Sequence, residues 1–338
     1  MKQAAASATS RARVRKGRIS GRKIVFSNIL VPTDFSPISL KALEYACTLG
    51  TAFGAILHLL HVNDIAVEAP TLAALSPPSR ELKAKLLHRL DSIAAEISAP
   101  TRGLRRHVRS GKAFNEVCEA ARDLSADLIV TATHGYSGLK RILLGSTTER
   151  IVQHSFCPVL VVREHQREFV SSRSRERAHN RRRICLDRIL VPTDFSEHSR
   201  HALSYALAFA KHFGAEVILL NAIYPHYYAS NPDYFSSDYG SLLDEAHRAA
   251  KAEMAKLLQA TSFDGVSFKT RIEEGHPVQT ILDVAKEWDA DLIVTSTHGR
   301  TGLEHVLIGS TAEQVVRYAT CPVLVVPRVK RKEENDEG

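Results

Sequence analysis

A chain of 338 residues has room for about two domains of ordinary size. It has no apolar run near the roughly 20 residues of a membrane-crossing helix and no apolar stretch of a secretory signal, so a soluble, cytoplasmic protein is expected. The net charge of +8 is concentrated in residues 1–23 (Lys2, Arg11, Arg13, Arg15, Lys16, Arg18, Arg22, Lys23) and in the stretch 163–188 (Arg173, Arg175, Arg177, Arg181, Arg182, Arg183), which reads as a solvated arm and linker rather than a basic domain face.

In chain order, Lys23–Val31 predicts a short apolar strand and Ser36 the N-cap of a helix running to about Phe53. Ala55–Val62 is the second strand, followed by a variable loop that Pro77-Pro78 closes. A helix is predicted from Ser79 to Ser98, a third strand over Leu104–Ser110 and a third helix over Ala113–Leu124. Asp127–Thr131 reads as a buried fourth strand, Ser146–His154 as a fourth helix and Pro158–Arg163 as a fifth strand. The second half repeats the pattern, with strands at Arg188–Val191, Val217–Asn221, Val266–Ile272, Asp291–Thr295 and Pro322–Pro327 and helices between them. It also carries an aromatic insertion (Tyr224, Tyr227, Tyr228, Tyr234, Phe235, Tyr239) that reads as a lid, a stacking surface or a packed or partner-facing loop. Short apolar strands alternating with helices imply α/β architecture, with open parallel sheets covered on both faces. The five cysteines (Cys47, Cys118, Cys157, Cys185, Cys321) form no CxxC pair and read as reduced thiols.

The two halves are copies of one unit. Ile29-Leu-Val-Pro-Thr-Asp-Phe-Ser36 returns as Ile189-Leu-Val-Pro-Thr-Asp-Phe-Ser196. Thr133-His-Gly135 and Leu144-Gly-Ser-Thr147 return as Thr297-His-Gly299 and Ile308-Gly-Ser-Thr311. Asp34 and Asp194 follow the first strand of each copy, Val62 and Ala222 end the second, and the Thr-His-Gly segments follow the fourth, so all fall on one edge of the sheet, where open α/β folds bind ligands. Glycines leading into Gly-Ser-Thr at a helix start supply open N–H groups, close backbone approach and hydroxyls, the combination a phosphate needs. Ser146 and Ser310 can alternatively be plain N-caps.

These paired motifs resemble the universal stress proteins in tandem form, over Lys23–Arg163 and Asp187–Arg328. The resemblance implies two HUP/Rossmann-like five-stranded parallel sheets in the order 3-2-1-4-5. It divides the chain into a basic arm (1–23), a first domain (24–163), an Arg-rich linker (164–186), a second domain (187–328) and a charged tail (329–338). Nucleotide-binding members carry Gly-x-x-Gly, nine residues, then Gly-Ser/Thr. Gly135 with Gly145-Ser146, and Gly299 with Gly309-Ser310, match that spacing, whereas Ala132 and Ser296 stand where the first glycine belongs. A site needing positive φ at those two positions would be strained.

Carried over by position, the resemblance places Pro32, Thr33 and Asp34 beside the adenosine of ATP, the Asp34 carboxylate on the ribose, and the Val62 backbone at the adenine edge. Ala132 would lie near the ribose, and Gly135, Gly145, Ser146 and Thr147 would cradle the phosphates. Pro192, Thr193, Asp194, Ala222, Ser296, Gly299, Gly309, Ser310 and Thr311 take the same roles in the second copy. His134 and His298 fall beside the site and read as turn-stabilising rather than catalytic. The copies are expected to differ, since Tyr136-Ser137 and Lys140-Arg141 become Arg300-Thr301 and Glu304-His305.

No Gly-x4-Gly-Lys-Ser/Thr, Gly-x-Ser-x-Gly or His-Glu-x-x-His signature is present. The expected function is therefore an ATP-binding stress-response sensor with at most slow hydrolysis, Mg2+ entering on the nucleotide phosphates. Two other classes stay open: a nucleotide-free scaffold or chaperone-like protein, and a nucleic-acid-associated protein using the basic arm and linker. Members commonly pair through their last strands, which implies an intrachain pseudo-dimer between Pro158–Arg163 and Pro322–Pro327, with a further homodimer open.

Overall fold

The computed structural model describes residues 24–64, 80–96, 102–133, 144–163, 166–171, 183–224, 239–298 and 309–328. The loop around Pro77-Pro78, the residues His134, Gly135, Gly299 and the loop pairs at 136–141 and 300–305 lie outside them. So do the arm, the tail, the arginines from 173 to 182, and the aromatic insertion apart from Tyr224 and the backbone of Tyr239.

The first half runs β1 (Asn28–Pro32), α1 (Pro37–Phe53), β2 (Ile56–Asn63), α2 (Arg80–Glu96), β3 (Leu104–Ser110), α3 (Ala113–Asp123), β4 (Leu128–Ala132), α4 (Ser146–His154) and β5 (Val159–Val162). Two short strands follow, β6 (Val170–Ser171) and β7 (Arg183–Ile184). The second half repeats as β8 (Arg188–Pro192), α5 (Glu197–Phe213), β9 (Glu216–Ile223), α6 (Tyr239–Ala260), β10 (Phe268–Glu274), α7 (Pro277–Glu287), β11 (Leu292–Ser296), α8 (Ser310–Tyr318) and β12 (Val323–Val326).

Each half has the strand order 3-2-1-4-5, all parallel, and the two halves join in one ten-stranded sheet ordered β10-β9-β8-β11-β12-β5-β4-β1-β2-β3. The junction is antiparallel, with Val323 opposite Val161, Leu324 opposite Leu160 and Val325 opposite Val159. Strand residues alternate between two cores. Ile29, Val31, Leu57 and Leu59 belong to one, with Ala42 and Leu43 of α1 and Ala202 and Leu203 of α5. Leu30, Leu60, Ile129 and Val159 belong to the other, with Val117 of α3 and Ile151 of α4. Both cores run unbroken through the two halves.

Local chemistry sets the helix ends. Ser36 and Ser196 cap α1 and α5 by accepting from the amides of Ser39 and Ser199, and Gly54 and Gly214 end those helices at φ 68° and 75°, where a left-handed conformation suits glycine. The first strand begins at Asn28 rather than Lys23. Phe26 is fully buried against Phe53 and Phe209, at centroid distances of 4.8 and 5.3 Å, so one ring from the second half seals the entry to the first. The strand expected over Val266–Ile272 is displaced to Phe268–Glu274, since Asp264 and Gly265, both at positive φ, form a turn in which the Val266 amide bonds the Phe263 carbonyl.

Phe169, Val170 and Leu186, at the ends of the 164–186 segment, are buried rather than solvated, contrary to the composition. Val170–Ser171 pairs antiparallel with Arg183–Ile184, Phe169 is fully buried with its ring edge-on to Tyr45 at 5.0 Å, and Glu168 pairs with Lys41 at 2.5 Å. Arg167 Nε donates to Asp291 Oδ1 at 2.7 Å, which ties this strap to the second half.

Candidate functional site

The Thr-Asp-Phe-Ser turn that leaves the first strand is built identically in both halves. Thr193 Oγ1 accepts from the Phe195 amide at 3.0 Å and meets Ser199 Oγ at 3.1 Å. Asp194 Oδ1 accepts from Ser196 twice, from its amide at 3.1 Å and its hydroxyl at 2.6 Å. Thr33, Asp34 and Ser36 repeat the arrangement, with 3.0 and 2.6 Å to Asp34 Oδ1. Phe35 and Phe195 sit at φ 65° and 64°, a conformation unfavourable for a bulky residue, and both rings are buried in the core. Burial of the rings and the carboxylate bonds hold the turn, so each aspartate has a structural task in its Oδ1 whatever else it binds.

The neighbouring strand supports this turn from a position the sequence did not single out. Asn221 Nδ2 donates to the Thr193 carbonyl at 2.7 Å, and His61, at the equivalent position of the first half, bonds the Thr33 carbonyl through Nδ1 at 2.9 Å. A carbonyl only accepts, so His61 carries its proton on Nδ1. Burial pushes the His61 pKa down and the Arg89 guanidinium adds to that, while the Thr33 bond and Asp34 act against them. The His61 ring lies 4.3 Å from that of Phe35, over which Arg89 sits at 4.0 Å.

The third wall is the entry to the fourth helix, where the structure excludes the capping reading of the two serines. Gly145 and Gly309 occupy the N-cap positions of α4 and α8, and neither end has a side-chain cap bond. Ser146 and Ser310 are the first helical residues, not caps. The glycine amides bond back to the Thr133 and Thr297 carbonyls at 2.6 and 2.7 Å. A Cβ at position 309 would stand 3.3 Å from the Thr297 carbonyl oxygen, which is why a glycine fits there. The helix N-terminus thus presents its first amides and the Ser-Thr hydroxyls without an internal acceptor, the electrostatics of an anion seat.

Ala132 and Ser296 end β4 and β11, and neither is among the residues of positive φ. The missing first glycine of the motif therefore brings no backbone strain. Ser296 Oγ donates to the His298 carbonyl at 2.7 Å, and His298 Nδ1 lies 2.9 Å from Thr297 Oγ1, so this histidine is engaged in its own turn.

In the second half these walls enclose a cavity of about 290 Å³. It brings together Pro192, Thr193, Asp194, Ala222, Ser296, His298, Gly309, Ser310 and Thr311, every predicted residue of that copy that is described. Asn221, Pro277 and Ile281 are among the lining residues not foreseen; a lone asparagine in the apolar run Val-Ile-Leu-Leu-Asn-Ala-Ile, and a proline opening the helix after the third strand, were the available signals. Pro32, Thr33, Asp34, Val62, Ala132, Gly145, Ser146 and Thr147 occupy the equivalent ends of β1, β2, β4 and the start of α4. Burial pushes the thiols of Cys157 and Cys321 up to about 12 and that of Cys118 to about 11, which leaves them unreactive.

Comparison with known proteins agrees with this architecture. The sequence model of the universal stress protein family matches residues 26–163 and 186–327. A universal stress protein of Methanocaldococcus jannaschii is 38% identical over 146 residues, 43% of this chain and 84% of that protein. One of Mycolicibacterium smegmatis is 26% identical over 306 residues, 88% of this chain and 96% of that protein. The crystal structure of a universal stress protein from Archaeoglobus fulgidus shares the fold, with a TM-score of 0.63 at 24% identity over 91% of this chain and 100% of that one.

Proposed function

The chain belongs to the universal stress protein family, and on that premise we propose that it is an ATP-binding regulatory protein whose nucleotide occupancy biases conformation or partner choice, with at most slow hydrolysis. The observation that carries this reading is the cavity at the carboxyl ends of β8, β9 and β11, closed by a helix N-terminus whose cap residue is a glycine. At about 290 Å³ the cavity lies near the lower end of the roughly 300–1,000 Å³ of small-molecule sites.

The residues fit a nucleoside phosphate. Apolar Pro192, Leu220, Ala222 and Ile281 suit a base. The Asp194 turn suits a ribose, and Gly309, Ser310 and Thr311 suit phosphate oxygens through amides, hydroxyls and the helix dipole. Among the described residues no group of three or more His, Cys, Asp or Glu side chains is arranged to hold a metal, so in this proposal Mg2+ arrives on the phosphates, where it supplies charge neutralisation. The β5–β12 seam would then act as the intrachain counterpart of a dimer interface.

The test is the thermal midpoint with and without millimolar Mg-ATP, for the native protein and for a variant combining Gly145→Val and Gly309→Val. A ligand at 100 times its Kd that binds only the folded state adds about 2.7 kcal/mol. A rise of several degrees that vanishes in the variant is expected; no rise in the native protein refutes nucleotide binding.

A further inference from the structure

We propose that the second half carries a seat for a divalent transition-metal ion of the zinc or cobalt type, held by the imidazoles of His198 and His298 at the border of the second-half cavity. The inference does not depend on nucleotide binding, since the ion sits on protein nitrogens. It starts from a nitrogen that the fold leaves unexplained.

His198 is the second residue of α5, just after the Ser196 cap. Its Nδ1 is buried and makes no hydrogen bond among the described residues. A buried nitrogen without a partner is costly and calls for an occupant such as an ion or a water. The imidazole of His298 stands beside it, with the ring centroids 6.1 Å apart and the planes inclined at 57°. Two imidazoles bound to one zinc-type ion have centroids about 5–6.5 Å apart, given the lengths of the metal–nitrogen bonds. The observed spacing falls in that range, so the two rings can share an ion without a large movement.

His298 is also oriented as a ligand would be. Its Nδ1 lies 2.9 Å from Oγ1 of the buried Thr297. With the proton on Nδ1 donated to that hydroxyl, the lone pair lies on Nε2. Metal-binding histidines are commonly fixed in this way, through a bond made by the other ring nitrogen. Ser296 Oγ, donating to the His298 carbonyl at 2.7 Å, holds the backbone of the same residue.

His298 lines the cavity together with Asp194, Ser310 and Thr311. Two imidazoles fill only two of the four positions around a zinc-type ion, which leaves the others to water or to oxygen atoms of a molecule in the cavity. That agrees with the described residues, among which no group of three or more His, Cys, Asp or Glu side chains is arranged to hold a metal. Imidazole nitrogen favours zinc or cobalt over magnesium, which takes oxygen ligands. The pair belongs to the second copy alone, because α1 has the buried Ile38 where α5 has His198. His201, one turn further along α5, sets its ring edge-on to Tyr205 at 5.3 Å.

Calorimetric titration of the full chain with zinc chloride, in the absence of nucleotide, tests the assignment. One ion per chain is expected to bind ahead of any others. His198→Ile installs the residue that α1 already carries at this place, and His198→Gln keeps a polar side chain there; the thermal midpoint without metal verifies that both fold. Each should weaken the first zinc site at least tenfold. Zinc binding that is unchanged in the two variants puts the ion on other histidines and overturns the proposal, as does an absence of zinc binding by the native protein. Either of those results leaves the nucleotide reading standing.

Discussion

Replacing His58 with isoleucine should flatten the acid side of the protein's stability profile. His58 lies in β2, 1% exposed, at the position that Ile218 fills in β9. Its Nε2 meets Asn28 Oδ1 at 3.2 Å and its Nδ1 meets His107 Nε2 at 3.1 Å, the two rings stacked at 5.3 Å. Asn28 turns its oxygen to His58 while its Nδ2 reaches the Ser125 carbonyl at 3.5 Å. His58 therefore donates from Nε2 and accepts at Nδ1, and His107 supplies the proton between the rings. A second proton on His58 would set N–H against N–H in a buried site. Burial holds its pKa down at about 4, with His107 and Arg105 pressing the same way. Burial, then Arg109 and Arg105, also lower His107.

The folded pKa lies below the unfolded value of about 6.5, so the stability gained by keeping His58 neutral is complete above 6.5 and is lost as the pH falls towards 4. At pH 5 the unfolded chain takes up a proton that the folded chain refuses, and linkage gives a loss of about 2 kcal/mol from this residue. Urea midpoints at pH 8, 6.5 and 5 on native protein and His58→Ile measure it, with m checked for constancy. Titrations of groups remote from the pair cancel in the difference between the two proteins, and His107, which loses its ring partner in the variant, is the one that does not. The native protein should lose about 2 kcal/mol more than the variant between pH 8 and 5, and parallel profiles would refute the burial argument.

Phe169→Ala probes the strap between the halves: a solvated linker predicts no change, whereas emptying a fully buried ring site against Tyr45 should cost about 3–5 kcal/mol by chemical denaturation. Asp291 accepts from the amides of Asp187 and Arg188 as well as from Arg167, with 4% of its side chain exposed. Arg167→Ala should accordingly destabilise by about 1–3 kcal/mol, and the loss should shrink in an Asp291→Ala background to what the Asp289 pair contributes, a double-mutant cycle whose additivity would show that Arg167 and Asp291 do not couple. Ser125 follows α3 at φ 48°, so Ser125→Gly is expected to raise stability by about 0.5–1 kcal/mol, and an unchanged or lower unfolding midpoint would contradict this.

Much of the fold was legible because strand burial is two-sided. Runs such as Leu-Ile-Val-Thr-Ala leave no polar face, which forces helices onto both sides of the sheet, and their repetition in the second half doubled each signal. Ser36 and Gly54 bracket α1 with cap chemistry readable from residue type alone. What escaped depended on contacts distant in sequence. The entry strand was shortened because Phe26 finds Phe53 and Phe209, and the segment after β5 packs because Phe169 meets Tyr45 more than a hundred residues earlier. At the site, the sequence left Ser146 and Ser310 readable either as phosphate contacts or as caps, since only backbone geometry separates a cap from a first helical residue. Asn221 was missed because its task, holding the Thr193 carbonyl, belongs to a turn 28 residues away.

The strand pairing at the centre of the sheet follows from what each edge of a single copy exposes. β3 reads Leu-Arg-Arg-His-Val-Arg-Ser and β10 reads Phe-Lys-Thr-Arg-Ile-Glu-Glu. Both form the outer edges of the ten-stranded sheet, and charged side chains there discourage a further strand from adding. β5 and β12 both read Val-Leu-Val-Val, with every residue buried. A lone copy would leave this apolar strand with open amides and carbonyls, the arrangement most prone to unwanted pairing. Pairing β5 to β12 satisfies both strands at once, and Arg163 reinforces the seam by donating to the Arg317 and Ala319 carbonyls at the end of α8. The seam places the end of β5 against the helix whose first turn lines the second-half cavity.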